Sequence, residues 1–205
     1  MRRTVCWLCC LMTVAVARGG DNGRAGPGDL VPEPRRMWEV SAETMQTIGV
    51  DDSRNNYLMT QFFSFALEPF RPLVLGPVTV RGQLVNSLVV SAIVEGPDSY
   101  YIGWAPELRF ILPLGRSPWS WQTAVAAGLG VADANQSRPD DRGLGQPLTF
   151  LLAVKAGLRY AVSDTWSVWA GGAWLHLSNG GLSEPRKENI GADSFGPVLG
   201  VSWSF

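Results

Sequence analysis

Cysteine is nearly absent from this chain, because Cys6, Cys9 and Cys10 are the only three among 205 residues. Without thiols further along, neither a disulfide framework nor a cysteine metal site can form there. Histidine occurs once, at His176, and a single histidine without nearby cysteines argues against a zinc site. We therefore expect a protein that needs no metal and no cofactor.

Long apolar runs and an excess of charge are also missing. After the N-terminal segment no stretch offers about 18 uninterrupted apolar residues, roughly the length that a membrane-spanning helix requires. The 17 basic and 18 acidic residues nearly cancel, which argues against a nucleic-acid partner. Apolar residues still make up 46% of the chain, so they must be arranged in some other way than a spanning helix.

The N-terminus carries the pattern of a cleavable secretory signal. Arg2 and Arg3 precede an apolar run, and the small residues Ala15 and Ala17 occupy the positions that signal peptidase reads. Removal of this segment would take all the cysteines with it. We predict three segments, namely a signal peptide at 1–17, a flexible leader rich in Gly and Pro at 18–36, and a folded domain at 37–205.

The folded domain contains eight stretches of strand length with β-rich composition. An even number of strands is typical of a closed antiparallel barrel. The connections at 70–76, 113–117 and 162–164 are short, whereas those at 133–146 and 178–192 are long and polar, as in outer-membrane barrels. The predicted strands are 38–49, 57–68, 77–93, 99–112, 118–132, 147–161, 165–177 and 193–205.

Apolar residues alternate with small or polar ones along these strands, as a membrane barrel requires. In the segment 99–112, Ile102 and Trp104 share an apolar face that we place outward, while Glu107 and Arg109 point inward. Inward charges of opposite sign, including Lys155 and Arg159, can neutralise one another. A soluble β-sandwich has the same period, but it would rarely place so much aromatic mass on one face of strand after strand.

These patterns predict an all-β fold, an eight-stranded antiparallel transmembrane β-barrel integral to the outer membrane. The last strand ends on Phe205, which resembles the C-terminal assembly signal of bacterial outer-membrane proteins. Tryptophans near strand ends are typical of the aromatic girdles at the two membrane interfaces.

Polar residues interrupt the outward face of the strand 165–177 at its end. His176 and Ser178 point the same way, so the imidazole and the hydroxyl lie side by side at one rim. A serine nucleophile needs a base and usually a carboxylate that orients the base. The outward face of the last strand, continued backwards, reaches Asp193, but spacing alone leaves Glu184 and Glu188 open as alternatives.

The residues around this pair resemble the C-terminal signature of the lipid A 3-O-deacylase family, the PagL-type outer-membrane hydrolases. The resemblance covers about the last hundred residues and is less sharp through Ala105-Pro106, 127–131 and 156–158. The residues that carry it are His176-Leu177-Ser178-Asn179-Gly180-Gly181-Leu182, Pro185 and Asn189-Ile190-Gly191-Ala192-Asp193-Ser194.

The resemblance implies a serine esterase on the lipid-facing exterior that removes the acyl chain at position 3 of lipid A. It implies Ser178 as the nucleophile, His176 as the general base and Asp193 as the orienting acid. The chain departs from the family pattern in two ways. The acid is Asp where the family has Glu, and the stretch between Pro185 and Asn189 is longer.

Donors for the oxyanion are expected close to this triad. Candidates are Asn189 and the backbone N–H groups of Gly180 or Gly181, with Asn179 as an alternative. Basic residues of the long loops can meet the phosphates of the substrate, lipid A or lipopolysaccharide. These basic residues are Arg138, Arg142, Arg186 and Lys187.

Three questions stay open at the level of sequence. A structural barrel without catalytic activity would keep the face pattern, and a barrel phospholipase or acyltransferase would use the same nucleophile on another lipid. The sequence also leaves open whether the barrel forms a homodimer and which acyl length is preferred.

Overall fold

The structure is a computed structural model, and the predicted segments 1–17 and 18–36 lie outside the part of the chain that it describes. No helix within the described part is long and apolar enough to cross a membrane. The described residues are 38–50, 56–76, 78–96, 98–134, 143–184 and 191–205.

Nine antiparallel strands make up the described chain, and eight of them correspond to the predicted strands within two residues at each end. The alternation of β-forming residues with a period of two therefore predicted the positions of these eight strands correctly. The strands are β1 (Trp38–Gly49), β2 (Tyr57–Leu67), β3 (Leu73–Leu75), β4 (Val78–Glu95), β5 (Tyr100–Pro113), β6 (Trp119–Ala132), β7 (Leu148–Ala161), β8 (Trp166–Ser178) and β9 (Ala192–Ser204).

The sheet closes on itself. Neighbouring strands pair in chain order from β4 to β9, β9 pairs with β1, and β1 pairs with β2, which in turn pairs with β4. This ring leaves β3 outside the closed circuit, so the barrel has eight strands and no open edge along its main wall. The prediction of an all-β, eight-stranded antiparallel barrel is confirmed.

The segment 70–76 is not a simple tight turn, as the spacing had predicted. Its residues Leu73–Leu75 form β3, which pairs with the start of β4 through Leu73 opposite Val80. Gly76, with φ of 62°, turns the chain between the two strands. The apolar run of this segment pairs its backbone groups with β4 in a β3–β4 hairpin.

The two ends of the barrel differ. The turn end carries the connections 68–77, 114–118 and 162–165, and the loop end carries 50–56, 96–99, 133–147 and 179–191. Aromatic side chains contact each other in pairs around the turn end, which agrees with an interfacial girdle. These pairs are Trp38 with Phe65, Trp119 with Tyr160, Trp166 with Trp203, and Trp203 with Phe205.

The outward faces are apolar as predicted. Along β5 exposed and buried residues alternate almost without interruption, with Ile102, Trp104 and Phe110 exposed and Tyr101 and Arg109 buried. A soluble protein would bury such large side chains, so this wall requires an apolar surrounding.

Six charged side chains fill the interior towards the turn end, three acidic and three basic. Arg109 bonds Glu39, Glu43 and Glu107 at 2.9–3.0 Å. Lys155 Nζ lies 2.5 Å from carboxylate oxygens of both Glu43 and Glu107. The pairing of each charge with opposite charges is what makes such burial tolerable in a narrow lumen. The remaining pair joins Arg159 to Glu39 at 2.6 Å.

Inward glycines make room for large buried side chains. A Cβ on Gly200 would lie 2.0 Å from the indole nitrogen of Trp169, and a Cβ on Gly103 would lie 2.2 Å from the Tyr101 hydroxyl. Only a residue without a side chain fits opposite these rings. Towards the loop end the interior is apolar, with Met45, Leu175 and other core residues fully buried.

Candidate functional site

At the end of β8 the outward face changes from apolar to polar residues. His176 and Ser178 are partly exposed on the outward face, while Leu175 and Leu177 between and beside them are fully buried in the apolar core. The buried leucines fix the strand, so the two polar side chains have a fixed direction. They lie at the loop end, as the sequence predicted.

Asp193 is the carboxylate that meets the imidazole. His176 and Asp193 are directly opposite each other in the β8–β9 pair, and His176 Nδ1 lies 3.0 Å from Asp193 Oδ1. A carboxylate accepts, so Nδ1 is the donor in a hydrogen bond between these two groups, and Nε2 is the ring nitrogen that does not contact Asp193 in this bond. The side chains of His176 and Asp193 are 28% and 37% exposed, so the pair is neither locked in the core nor fully solvated.

The imidazole is held by two neighbours that the sequence reasoning did not single out for this role. The Trp174 ring stacks on it with centroids 5.9 Å apart and an interplanar angle of 20°. Gly191, with φ of +63°, crosses so close that an added Cβ would lie 3.3 Å from His176 Cε1 and 3.7 Å from Ser178 Cβ. The signal for both was in the sequence, as an aromatic residue two before His176 and a glycine two before Asp193.

Ser178 Oγ accepts a hydrogen bond from the backbone N–H of Gly180 at 3.0 Å. Gly180 has φ of +66°, a conformation that glycine adopts without strain and that turns the chain back towards the hydroxyl. Phe150 of β7 is the cross-strand partner of Ser178 and supplies an apolar neighbour on the outer wall.

Asn179 and Gly181, two predicted oxyanion donors, are engaged within the loop. The Asn179 side chain is fully buried and donates from Nδ2 to the Leu144 carbonyl at 2.6 Å and to Ser183 Oγ at 2.7 Å. The backbone N–H of Gly181 donates to Asn179 Oδ1 at 2.8 Å. Their roles as oxyanion donors stay predictions.

Several residues that the sequence placed near the site lie outside the described part of the chain. Glu184 is described and exposed, and its carboxylate lies beside Gly181. The proposed donor and the competing acid that are not described are Asn189 and Glu188, and the loop bases are Arg138, Arg142, Arg186 and Lys187.

The wall below the site is apolar and includes small residues. Gly172 of β8 lies opposite Ala156 of β7, and the ring of Phe195 borders it, 3.9 Å from where a Cβ on Gly172 would be. Phe195 and Leu152 are both exposed on the same face. A hydrocarbon chain can lie on this surface while its polar end reaches His176.

Within the described ranges no group of three or more His, Cys, Asp or Glu side chains is placed to hold a metal ion. The arrangement of hydroxyl, imidazole and carboxylate has the elements of nucleophilic acyl transfer, namely a nucleophile, a base and a group that orients the base.

Comparison with known proteins finds a relative of similar sequence. A curated relative, the lipid A deacylase PagL of Pseudomonas aeruginosa, is 32% identical over 101 residues, which is 49% of this chain and 52% of the relative. The alignment thus spans about half the length of that relative.

Two solved structures share the fold. The crystal structure of the outer membrane enzyme PagL matches with a TM-score of 0.52 and 21% identity, over 80% of this chain and 97% of that one. Neisserial surface protein A matches with a TM-score of 0.50 and 12% identity, over 82% and 97% of the two chains. Because the two scores are nearly equal, the barrel shape alone does not indicate a function.

The sequence family is more specific than the shape. The profile of the family described as lipid A 3-O-deacylase (PagL) matches residues 87–202, which include β5 to β8, His176, Ser178 and Asp193. This match covers more than half of the 205 residues. The chain therefore belongs to the lipid A 3-O-deacylase (PagL) family.

Proposed function

We propose that the protein is an integral outer-membrane serine esterase that removes the ester-linked 3-hydroxyacyl chain at position 3 of lipid A. The observation that carries this proposal is the contact of His176 Nδ1 with Asp193 Oδ1 at 3.0 Å, with Ser178 on the same lipid-facing side. Family membership supports lipid A, or lipopolysaccharide, as the substrate. Aromatic pairs at the turn end and the apolar wall support the membrane location.

In the first step His176 Nε2 takes the proton of the Ser178 hydroxyl as Oγ attacks the ester carbonyl. The positive charge that develops on the imidazole is stabilised by the Asp193 carboxylate at Nδ1. Trp174 stacks on the ring and Gly191 borders its Cε1 edge, so the imidazole keeps its orientation during the transfer.

The tetrahedral intermediate carries negative charge on the former carbonyl oxygen, and donors near Oγ must stabilise it. The backbone N–H of Gly180 is already within 3.0 Å of Ser178 Oγ and is the donor that the described geometry favours. Asn189, Gly181 and Asn179 are the further candidates in this proposal, and the Gly181 N–H would have to leave Asn179 Oδ1 to act on the oxyanion.

The intermediate then collapses, and the sugar oxygen at position 3 leaves with the proton from His176. The acyl-enzyme ester on Ser178 is hydrolysed by a water molecule that His176 deprotonates, which releases a 3-hydroxy fatty acid and restores the hydroxyl. The products are the free acid and a lipid A with one acyl chain fewer.

An outer-wall site fits a substrate that is itself part of the membrane. The acyl chain can stay against the apolar wall beside Gly172 while the ester reaches the loop end, so the lipid need not leave the bilayer. The loop end then faces the outer leaflet, where lipid A resides.

The test is mass spectrometry of lipid A from cells that produce the wild type, Ser178→Ala or Asp193→Ala, all with the barrel folded. We expect the wild type to yield a species lighter by one 3-hydroxyacyl chain, and both variants to lose it. Ser120→Ala, at an inward position near the turn end, serves as the matched control and should behave as the wild type.

Unchanged lipid A with a folded wild-type barrel in the outer membrane would overturn the proposal. Parallel analysis of the phospholipids separates two alternatives. Fatty acid released from phospholipid alone indicates a phospholipase, and no change in any lipid indicates a structural barrel.

A further inference from the structure

Three loops meet at the buried residue Leu144. Its side chain is 1% exposed and belongs to the apolar core, although Leu144 lies in the connection between β6 and β7. A core-anchored loop residue has a fixed peptide, which can serve as a rigid support for neighbouring segments.

The carbonyl of Leu144 supports the loop of the nucleophile. It accepts a hydrogen bond from Asn179 Nδ2 at 2.6 Å, and Asn179 directly follows Ser178. Asn179 Oδ1 in turn accepts from the N–H of Gly181, so the same side chain sets the turn that aims the Gly180 N–H at Ser178 Oγ.

The N–H side of Leu144 is held by a third loop. It donates to Asp98 Oδ2 at 3.1 Å, and Asp98, between β4 and β5, is only 7% exposed. The neighbouring Asp133 fixes that loop from the end of β6, because its Oδ1 accepts from the N–H groups of Ser99 and Tyr100 at 2.7 and 3.1 Å.

We propose that Asp98 and Leu144 are positioning residues for the reaction at Ser178: Asp98 holds the Leu144 peptide, the peptide holds Asn179, and Asn179 sets the turn around the nucleophile. The inference rests on the proposed function of Ser178. It extends the site across the barrel mouth to a carboxylate that touches neither the imidazole nor the substrate.

The Asp98 carboxylate is buried, and water therefore solvates its charge poorly. Burial raises the pKa of Asp98, the Leu144 N–H acts in the opposite direction, and the charge of Asp133 raises it further. The folded protein therefore disfavours the ionised form, and stability that depends on Asp98 falls as the pH rises through its raised pKa. A neutral asparagine should thus leave the fold as stable as before or more so.

The experiment compares Asp98→Ala, Asp98→Asn and the control Asp164→Asn, an exposed aspartate at the turn end. For each full-length protein, kcat and KM on purified lipid A are measured together with the rate at which a fluorophosphonate labels Ser178. Heat unfolding in the same detergent reports stability.

We expect Asp98→Ala to lower kcat and the labelling rate together by about tenfold to a hundredfold, with KM within roughly twofold of the wild type. Asp98→Asn keeps an acceptor oxygen and should fall in between, with an unfolding temperature no lower than that of the wild type. Asp164→Asn should match the wild type in every readout.

Wild-type kcat and labelling in Asp98→Ala would overturn the inference, as would a change in KM alone. Loss of activity in Asp98→Asn that parallels a lower unfolding temperature would also overturn it, because the role would then be structural. If the wild type does not cleave lipid A, the proposed function fails, while the labelling rates still test the positioning of Ser178.

Discussion

Carboxylates and basic groups meet inside this barrel and on its outer wall, with opposite results. Inside, Glu39, Glu43 and Glu107 are matched by Arg109, Lys155 and Arg159, and each of these side chains is nearly inaccessible. On the outer wall Asp193 and His176 lie 3.0 Å apart, and their side chains stay 37% and 28% exposed. Buried charges therefore serve the stability of the barrel, whereas the exposed pair is the one that we propose takes part in a reaction.

Whether a charged side chain serves stability or chemistry depends on which face of its strand it occupies. Charged residues that point inward lose their contact with water, so each of them needs an oppositely charged partner. Residues that point outward at the rim keep access to both lipid and water, so a base can exchange its proton with a substrate. Replacing one member of each group should therefore affect different properties of the protein.

Replacement of the base should have the largest effect. His176→Asn removes the proposed general base, and we expect kcat/KM on lipid A to fall by about 10³–10⁴-fold, equivalent to about 4–5.5 kcal/mol. The free energy of unfolding should change by no more than about 0.5 kcal/mol, because the ring lies on the surface of the wall. A large loss of stability in this variant would contradict the contrast in which the outer-wall pair serves activity and the interior network serves stability.

Replacement of an interior cation should act on stability instead. Lys155→Met removes the ammonium group between Glu43 and Glu107, and breaking a buried pair costs about 3–5 kcal/mol. Urea unfolding of the barrel in lipid vesicles measures this, with the exposed Arg116→Met as the matched control. Activity per folded molecule should stay at the wild-type level, and a selective loss of activity would show that the interior network reaches the site.

A smaller effect is expected where the chain crosses the imidazole. Gly191→Ala places a methyl group 3.3 Å from His176 Cε1 at a φ of +63°, and we expect activity to fall about tenfold to a hundredfold as the ring shifts. The strained φ alone should cost about 1 kcal/mol of stability. Gly115→Ala, with φ of +68° and open space around it, carries the same strain away from the site. Equal activity losses in the two variants would contradict a specific role of Gly191.

Much of this protein was readable from local pattern. The alternation in β5, β6, β7 and β9 gave the outward faces correctly, and eight strand positions agree with the structure. The short strand β3 was missed because three apolar residues between turns carry no periodicity of their own. Glu39 and Glu43 were not recognised as members of the interior network, because their partners lie on distant strands.

The sequence by itself determined the outward faces of β5 to β9, because side chains on a strand alternate with a period of two. That period put His176 and Ser178 side by side at the loop end. Only the tertiary structure decided that Asp193 is directly opposite His176 and that Asp98 reaches Leu144, because strand register and loop contacts depend on how distant segments meet when the barrel closes.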